Sequence, residues 1–274
     1  MLRTRVITAA VLIVGILTAL FLASVETWAV LTLAIILIGV WEWSDLIKLN
    51  QTQKLFFVVS AFLLGLFIAF ISKSPLAAYQ HYIVLILLGL STLFWLVIAP
   101  IWLITRKTCT NRLMMAMLGL LLLLATWLGF MGLHAISPWL LLATIAAVSI
   151  ADSAAYFAGK RFGRHKLAPE ISPGKTWEGV AGAMVTITLY GAVLCYLKQY
   201  SLWLIVGLWL IVMLSIMGDL FESLLKRQAG LKDSGQLLPG HGGILDRIDG
   251  LIPTLAIALF CIYLSPFAGL QAHA

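Results

Sequence analysis

Apolar residues run along this chain in stretches of roughly twenty, separated by short polar gaps, and that is the length a helix needs to cross about 30 Å of hydrocarbon. Runs this long with so few charges predict helices rather than barrel strands, because backbone groups in lipid must be satisfied within the segment. The runs fall at Val6–Val25, Trp28–Leu46, Leu55–Ile71, Tyr82–Ile104 and Leu113–Leu133, then at Pro138–Ala158, Gly179–Leu197, Leu202–Leu220 and Ile248–Leu264. The expected fold is therefore all-α: a polytopic integral membrane protein of about nine transmembrane helices. Residues 1–136 would hold about five of these and residues 137–274 about four, with polar loops at 159–178 and 225–247. The first run lacks the short core and small-residue cleavage site of a removed signal, so it is expected to stay.

Composition agrees: 62% of the residues are hydrophobic, 11% are charged and the mean hydropathy is +1.05. A net charge of +7 would suit a nucleic-acid partner, but the basic residues sit in the gaps between runs. With the N-terminus in the cytoplasm, every Lys and Arg except Lys73 and Lys198 falls on the cytoplasmic side. The positive-inside rule predicts that asymmetry, so no nucleic acid is needed to explain the charge. Cys109, Cys195 and Cys261 lie in separate segments, without metal-ligand spacing.

The chemistry concentrates between Asp219 and Gly250. If the preceding helix continues to about Ala229, then Asp219, Glu222, Ser223 and Lys226 recur at three- and four-residue intervals and share a face. Asp246 and Asp249 share a face at the start of the next run. Between them lies Gly240-His241-Gly242-Gly243, whose glycines permit positive φ and close approach of backbone N–H groups to a ligand. Carboxylates suit a hard cation such as magnesium, and interleaved Lys and Arg suit phosphates. Asp152, about two turns before the end of its run, is costly in lipid and expected to have a partner at the site. Glu42 and Asp45, beside Trp41 and Trp43, fit an interfacial aromatic belt as well as they fit a site. The loop containing Gly174-Lys175-Thr176 is not a P-loop, since Pro169 stands where the first glycine should be and no strand precedes it. His165 is read as a loop histidine, and His81, His134 and His273 fall on the outer side.

The pattern Ser223-x-x-Lys226-Arg227, Lys232-Asp233, Pro239-x-His241-Gly242-Gly243-x-x-Asp246-Arg247-x-Asp249 resembles the signature of the phosphatidate cytidylyltransferases (CDP-diacylglycerol synthases). Asp152-Ser153 and Ser172-Pro173-x-Lys175-Thr176-x-Glu178-Gly179 resemble further motifs of that family. The resemblance implies transfer of a cytidylyl group from CTP to phosphatidic acid, and a homodimer. Because a phosphomonoester is already anionic at neutral pH, the reaction needs charge neutralisation more than a strong base. On this reading Asp219 and Asp246, then Asp249, hold Mg2+, and a second cation is possible. Lys226, Arg227, Lys232 and Arg247 clamp phosphates, and His241 is a catalytic residue whose role is left open between base and phosphate contact, a base not being obligatory. Ser223 ligates metal or caps locally, while Lys175, Thr176, Asp152, Gly242 and Gly243 belong to the nucleotide side. The site would face the cytoplasm from the inner membrane. A transporter with a cytoplasmic-side ion site is the competing reading, although transport sites tend toward the midplane. The Asp-Gly-x-x-Ala-Arg motif of the CDP-alcohol phosphotransferases is absent.

Overall fold

The computed structural model describes residues 14–71, 77–235 and 242–264. Arg3, Arg5, Lys73, His241, His273 and much of the expected first span lie outside the described residues. Residues 14–22 are helical and lead to α1 (Val25–Leu46) and α2 (Gln51–Ile71). Next comes α3 (Ala77–Leu93), which passes through a π-helical turn, Phe94–Ile98, into a last helical stretch, Ala99–Thr105. Then follow α4 (Arg112–Ile136), α5 (Pro138–Phe162), a hairpin of β1 (Lys166–Ala168) and β2 (Ser172–Thr176), α6 (Trp177–Lys198) and α7 (Trp203–Ala229). The described chain closes with α8 (Leu245–Ile248) and α9 (Leu251–Tyr263).

Local chemistry explains the boundaries. Ser24 and Asn111 cap α1 and α4 by accepting from the N–H groups of Thr27 and Met114. Pro138 occupies the start of α5, where no N–H is needed, and α7 stops at Gly230 with φ +78°. Pro100 has no N–H to return to the preceding turn, and the π turn lies just before it.

Among the described residues, seven helices are long and apolar enough to cross a membrane, and they match the second to eighth expected spans. The ninth run is different from the expectation. Its helical bonding is interrupted at Asp249-Gly250, where Pro253 cannot donate back to the Asp249 carbonyl, so α8 and α9 are separate elements. At 13 residues α9 spans about 20 Å, less than the hydrocarbon core. It is buried nearly all round, packing against α3, α4 and α7 as a central helix rather than a peripheral span.

Because lipid is as apolar as a leucine side chain, helix association here relies on close packing and hydrogen bonds. Three indoles join α1 to α4: Trp28 Nε1 donates to the Phe130 carbonyl at 3.1 Å, Trp43 to Met115 at 3.0 Å and, in return, Trp127 to Ala29 at 2.9 Å. The second core joins α5, α6 and α7. There α6 buries Gly179, Ala183, Ile187, Gly191 and Cys195, one residue in four, and turns Leu189, Val193 and Tyr196 outward.

The loops after α1, α3, α5 and α7 meet at one end of the bundle. Gln228 Nε2 donates to the carbonyls of Arg106 and Lys107, Arg106 pairs with Glu170, and Lys48 and Lys232 line the same cleft. These are the loops that charge sorting placed together on one side. The hairpin is held there by Ile171, buried against Leu220 and Leu224 of α7.

At Gly129, α4 passes so close to α9 that an added Cβ would lie 2.7 Å from Leu255. Gly129→Ala is expected to destabilise the bundle by about 1–3 kcal/mol through overpacking, read as a lower melting temperature in detergent.

Candidate active site

Three helices and the hairpin converge below the loop end of the bundle. Asp152 and Asp219 each lie about ten residues, or about 15 Å, before the ends of α5 and α7. The second strand of the hairpin returns Lys175 to this depth, where its Nζ sits 2.6 Å from Asp219 Oδ2. Ser223 Oγ donates to the other Asp219 oxygen at 3.2 Å, and Ser215 Oγ donates to Asp152 at 3.2 Å. Asp249 lies within electrostatic range of Asp219, Lys175 and Asp152. Its own Oδ1 accepts the Gly250 N–H at 2.7 Å. Gly218 makes this approach possible, since a Cβ there would stand 2.2 Å from the Asp249 carbonyl oxygen.

A second group lies nearer the loop end. Lys226 Nζ is 2.5 Å from both Glu222 Oε2 and Asp246 Oδ1, and all three side chains are almost inaccessible. Asp246 Oδ2 accepts from Ser234 N and Oγ at 3.0 Å each and from Gly243 N at 2.8 Å. Burial would raise the Asp246 carboxyl, but the Lys226 ammonium and the Gly243 and Ser234 amides outweigh it and hold the group below the usual carboxylate range. Gly242 takes φ +79°, a positive value of the kind expected of this loop.

The structure therefore sorts the expected site residues differently from the sequence. α7 and the α8–α9 segment run in opposite directions, so Asp246 meets Lys226 while Asp249, one turn deeper, meets Asp219. Asp219 and Asp246, expected to share an ion, belong to separate groups. Lys226, expected on phosphate, is enclosed by carboxylates. Thr176 is buried and caps α6 by accepting the Gly179 N–H at 3.1 Å. Arg227, Lys232 and Arg247 are exposed around the loop end. Lys232, with Asp45, Lys48, Asp233 and Ser234, lines a cleft of about 460 Å³. His165 pairs with Glu178 at 2.6 Å, as a loop histidine would.

Two participants went unassigned. Glu42 is buried and accepts from Ser234 Oγ, Ile244 N and Leu245 N, whereas its neighbour Asp45 pairs with Lys54 at 2.5 Å beside Trp41, as in an interfacial belt. An acid within an apolar helix was the available signal for Glu42. Ser215 lies one turn before Asp219, and that spacing is the only hint of its place.

Among the described residues no three His, Cys, Asp or Glu side chains stand close enough together to enclose an ion by themselves. The donor set nonetheless fits one. Asp152, Asp219 and Asp249 bring three carboxyl groups to the one ammonium of Lys175, a set of hard oxygen donors of the kind a divalent cation takes.

The model of the cytidylyltransferase family matches residues 3–265. The phosphatidate cytidylyltransferase of Haemophilus influenzae is 35% identical over 96% of this chain and 98% of its own length. That of Pseudomonas aeruginosa is 38% identical over 96% of this chain and 97% of its own. The Bacillus subtilis phosphatidate cytidylyltransferase is 45% identical over 41% of this chain and 43% of its own.

Replacing Lys226 by Met would leave two buried carboxylates without their shared cation. We expect a loss of about 3–5 kcal/mol of stability, partly recovered when Glu222→Gln is added, with detergent melting curves of the single and double variants as the measurement.

Proposed function

The chain belongs to the cytidylyltransferase family, and from that premise we propose how its paired carboxylate groups serve the reaction. The protein is a phosphatidate cytidylyltransferase: CTP and phosphatidic acid give CDP-diacylglycerol and pyrophosphate. A lipid phosphate oxygen forms a bond to the α-phosphorus of CTP as the bond to the β-phosphate bridging oxygen breaks. Both reactants are polyanions, so bringing them together is the main obstacle.

The observation that carries this reading is the convergence of Asp152, Lys175, Asp219 and Asp249 below the loop end. Asp219 and Asp249, with Asp152, would hold Mg2+, which supplies electrophilic charge at the phosphates when bound. A second cation could be held by the same carboxylates. Lys175, whose ammonium lies 2.6 Å from Asp219, would offer its positive charge to a phosphate oxygen. Ser215 and Ser223 orient Asp152 and Asp219 through their hydroxyls. Asp246 is a positioning group: its ion pair to Lys226 and its amide contacts fix the loop that carries Lys232 and Arg247. The exposed cations at the loop end, with His241, would receive the phosphates of nucleotide or lipid.

The loops would face the cytoplasm of an inner membrane, where CTP is found, and the basic residues there would be matched to phosphates and lipid headgroups rather than to nucleic acid. A homodimer is the assembly that the family resemblance implies. The transporter alternative has no support beside this family membership.

Asp219→Asn and Asp249→Asn should each lower CTP- and phosphatidate-dependent pyrophosphate release about a hundredfold or more, with folding intact. Activity within twofold of the parent in either variant would remove that residue from the mechanism. Lys232→Ala should raise the KM for CTP several-fold and leave the magnesium dependence of the rate unchanged. Initial rates at limiting CTP, across a magnesium titration, give both quantities.

A further inference from the structure

The family signature lies in the second half of the chain, yet the loop carrying much of it is gripped by a residue from the first long helix. Glu42 lies near the end of α1 with only 3% of its surface accessible. Its Oε1 accepts the Ile244 N–H at 2.9 Å, and its Oε2 accepts the Leu245 N–H at 2.8 Å and the Ser234 hydroxyl at 3.0 Å. The same hydroxyl stands 3.0 Å from Asp246 Oδ2, so its single hydrogen is shared between two carboxylates from distant parts of the chain. Ile244 and Leu245 begin α8, the short helix that bears Asp246 and Arg247. Helix-start amides have no partner within their own helix, and here a carboxylate from another helix satisfies them.

Two glycines fit the same picture. A Cβ at Gly243 would stand 2.5 Å from Glu42 Oε2, and one at Gly235 would stand 2.4 Å from Oε1. At Gly243 the Ser234 hydroxyl and the Glu42 carboxylate together occupy the space a side chain would need.

We propose that Glu42 is a positioning residue for nucleotide use: it clamps both stems of the Ser234–Leu245 loop, and through Ser234 and α8 it fixes where Asp246, Lys232 and Arg247 stand. Its effect on catalysis rests on the reading given under Proposed function, whereas its hold on the loop does not. Glu42 touches no reacting atom in this scheme and acts through the loop.

The test uses the full-length protein in detergent with Glu42→Ala, Glu42→Gln and Ser234→Ala. In Glu42→Ala the Ile244 and Leu245 amides should exchange hydrogen at least about tenfold faster, while amides in the middle of α4 exchange at the parental rate. Leaving the buried amides without an acceptor should lower the melting temperature, while in the folded fraction the KM for CTP should rise about tenfold because the cations are displaced. Glu42→Gln, which keeps one acceptor oxygen, should fall between Ala and the parent. Ser234→Ala, which leaves both backbone bonds to Glu42 in place, should show the smaller exchange effect. Parental exchange at Ile244 and Leu245 in Glu42→Ala would overturn the proposal. So would a fall in kcat that tracks the folded fraction at parental KM, since that pattern belongs to general structural support. If the parent chain itself made no CDP-diacylglycerol, the reading of the reaction would fall, and the exchange rates would still decide whether Glu42 holds the loop.

Discussion

Carboxylates set below the ends of membrane helices must find positive charge or hydrogen-bond donors, and most features of this site follow from that constraint. Asp152, Asp219 and Asp249 gather around Lys175; Glu222 and Asp246 gather around Lys226. In both groups the acids outnumber the ammonium. The inner carboxylates are met by single donors for the most part: Ser215 on Asp152, Ser223 and Lys175 on Asp219, and the Gly250 amide on Asp249. In the outer group Asp246 takes donors from Lys226, Ser234 and Gly243, while Glu222 keeps a buried oxygen without a hydrogen-bond partner among the described residues.

Packing determines which acid meets which base. Gly218 lets α7 lie against the Asp249 carbonyl, and Pro253 breaks the helical bonding there, so Asp249 can sit deeper than Asp246 against the same helix. On the other flank, Ile171 seats the hairpin on α7 and turns Lys175 back toward Asp219. The long α7, 27 residues or about 40 Å, exceeds the hydrocarbon thickness, which lets it carry charged groups toward the loop end while its other end stays with Trp203 and Tyr200 among the exposed aromatics.

The first half of the chain is more than a membrane anchor in this arrangement. Its α1 and α4 are joined by indole hydrogen bonds, and α9 from the far end of the sequence is buried among them. Rigid attachment of α1 is what gives Glu42 a fixed place from which to hold a loop two hundred residues away in sequence. The central position of α9 brings Asp249, immediately before it, under the same control.

Hydropathy by itself determined the helical membrane class and seven of the nine expected spans, and charge sorting the grouping of basic loops at one end, because burial in lipid is a property of each segment and its composition. Residue spacing likewise determined that Asp219, Glu222, Ser223 and Lys226 share a face, since that depends only on the helical repeat. Tertiary structure decided that Asp219 stands with Lys175, Asp152 and Asp249 instead of Asp246, that Lys226 is enclosed, and that Glu42 reaches the loop. Those pairings depend on the direction and depth of helices far apart in sequence, and on small residues such as Gly218 that permit close approach. No local period encodes them, because the partners are brought together only when the whole bundle packs.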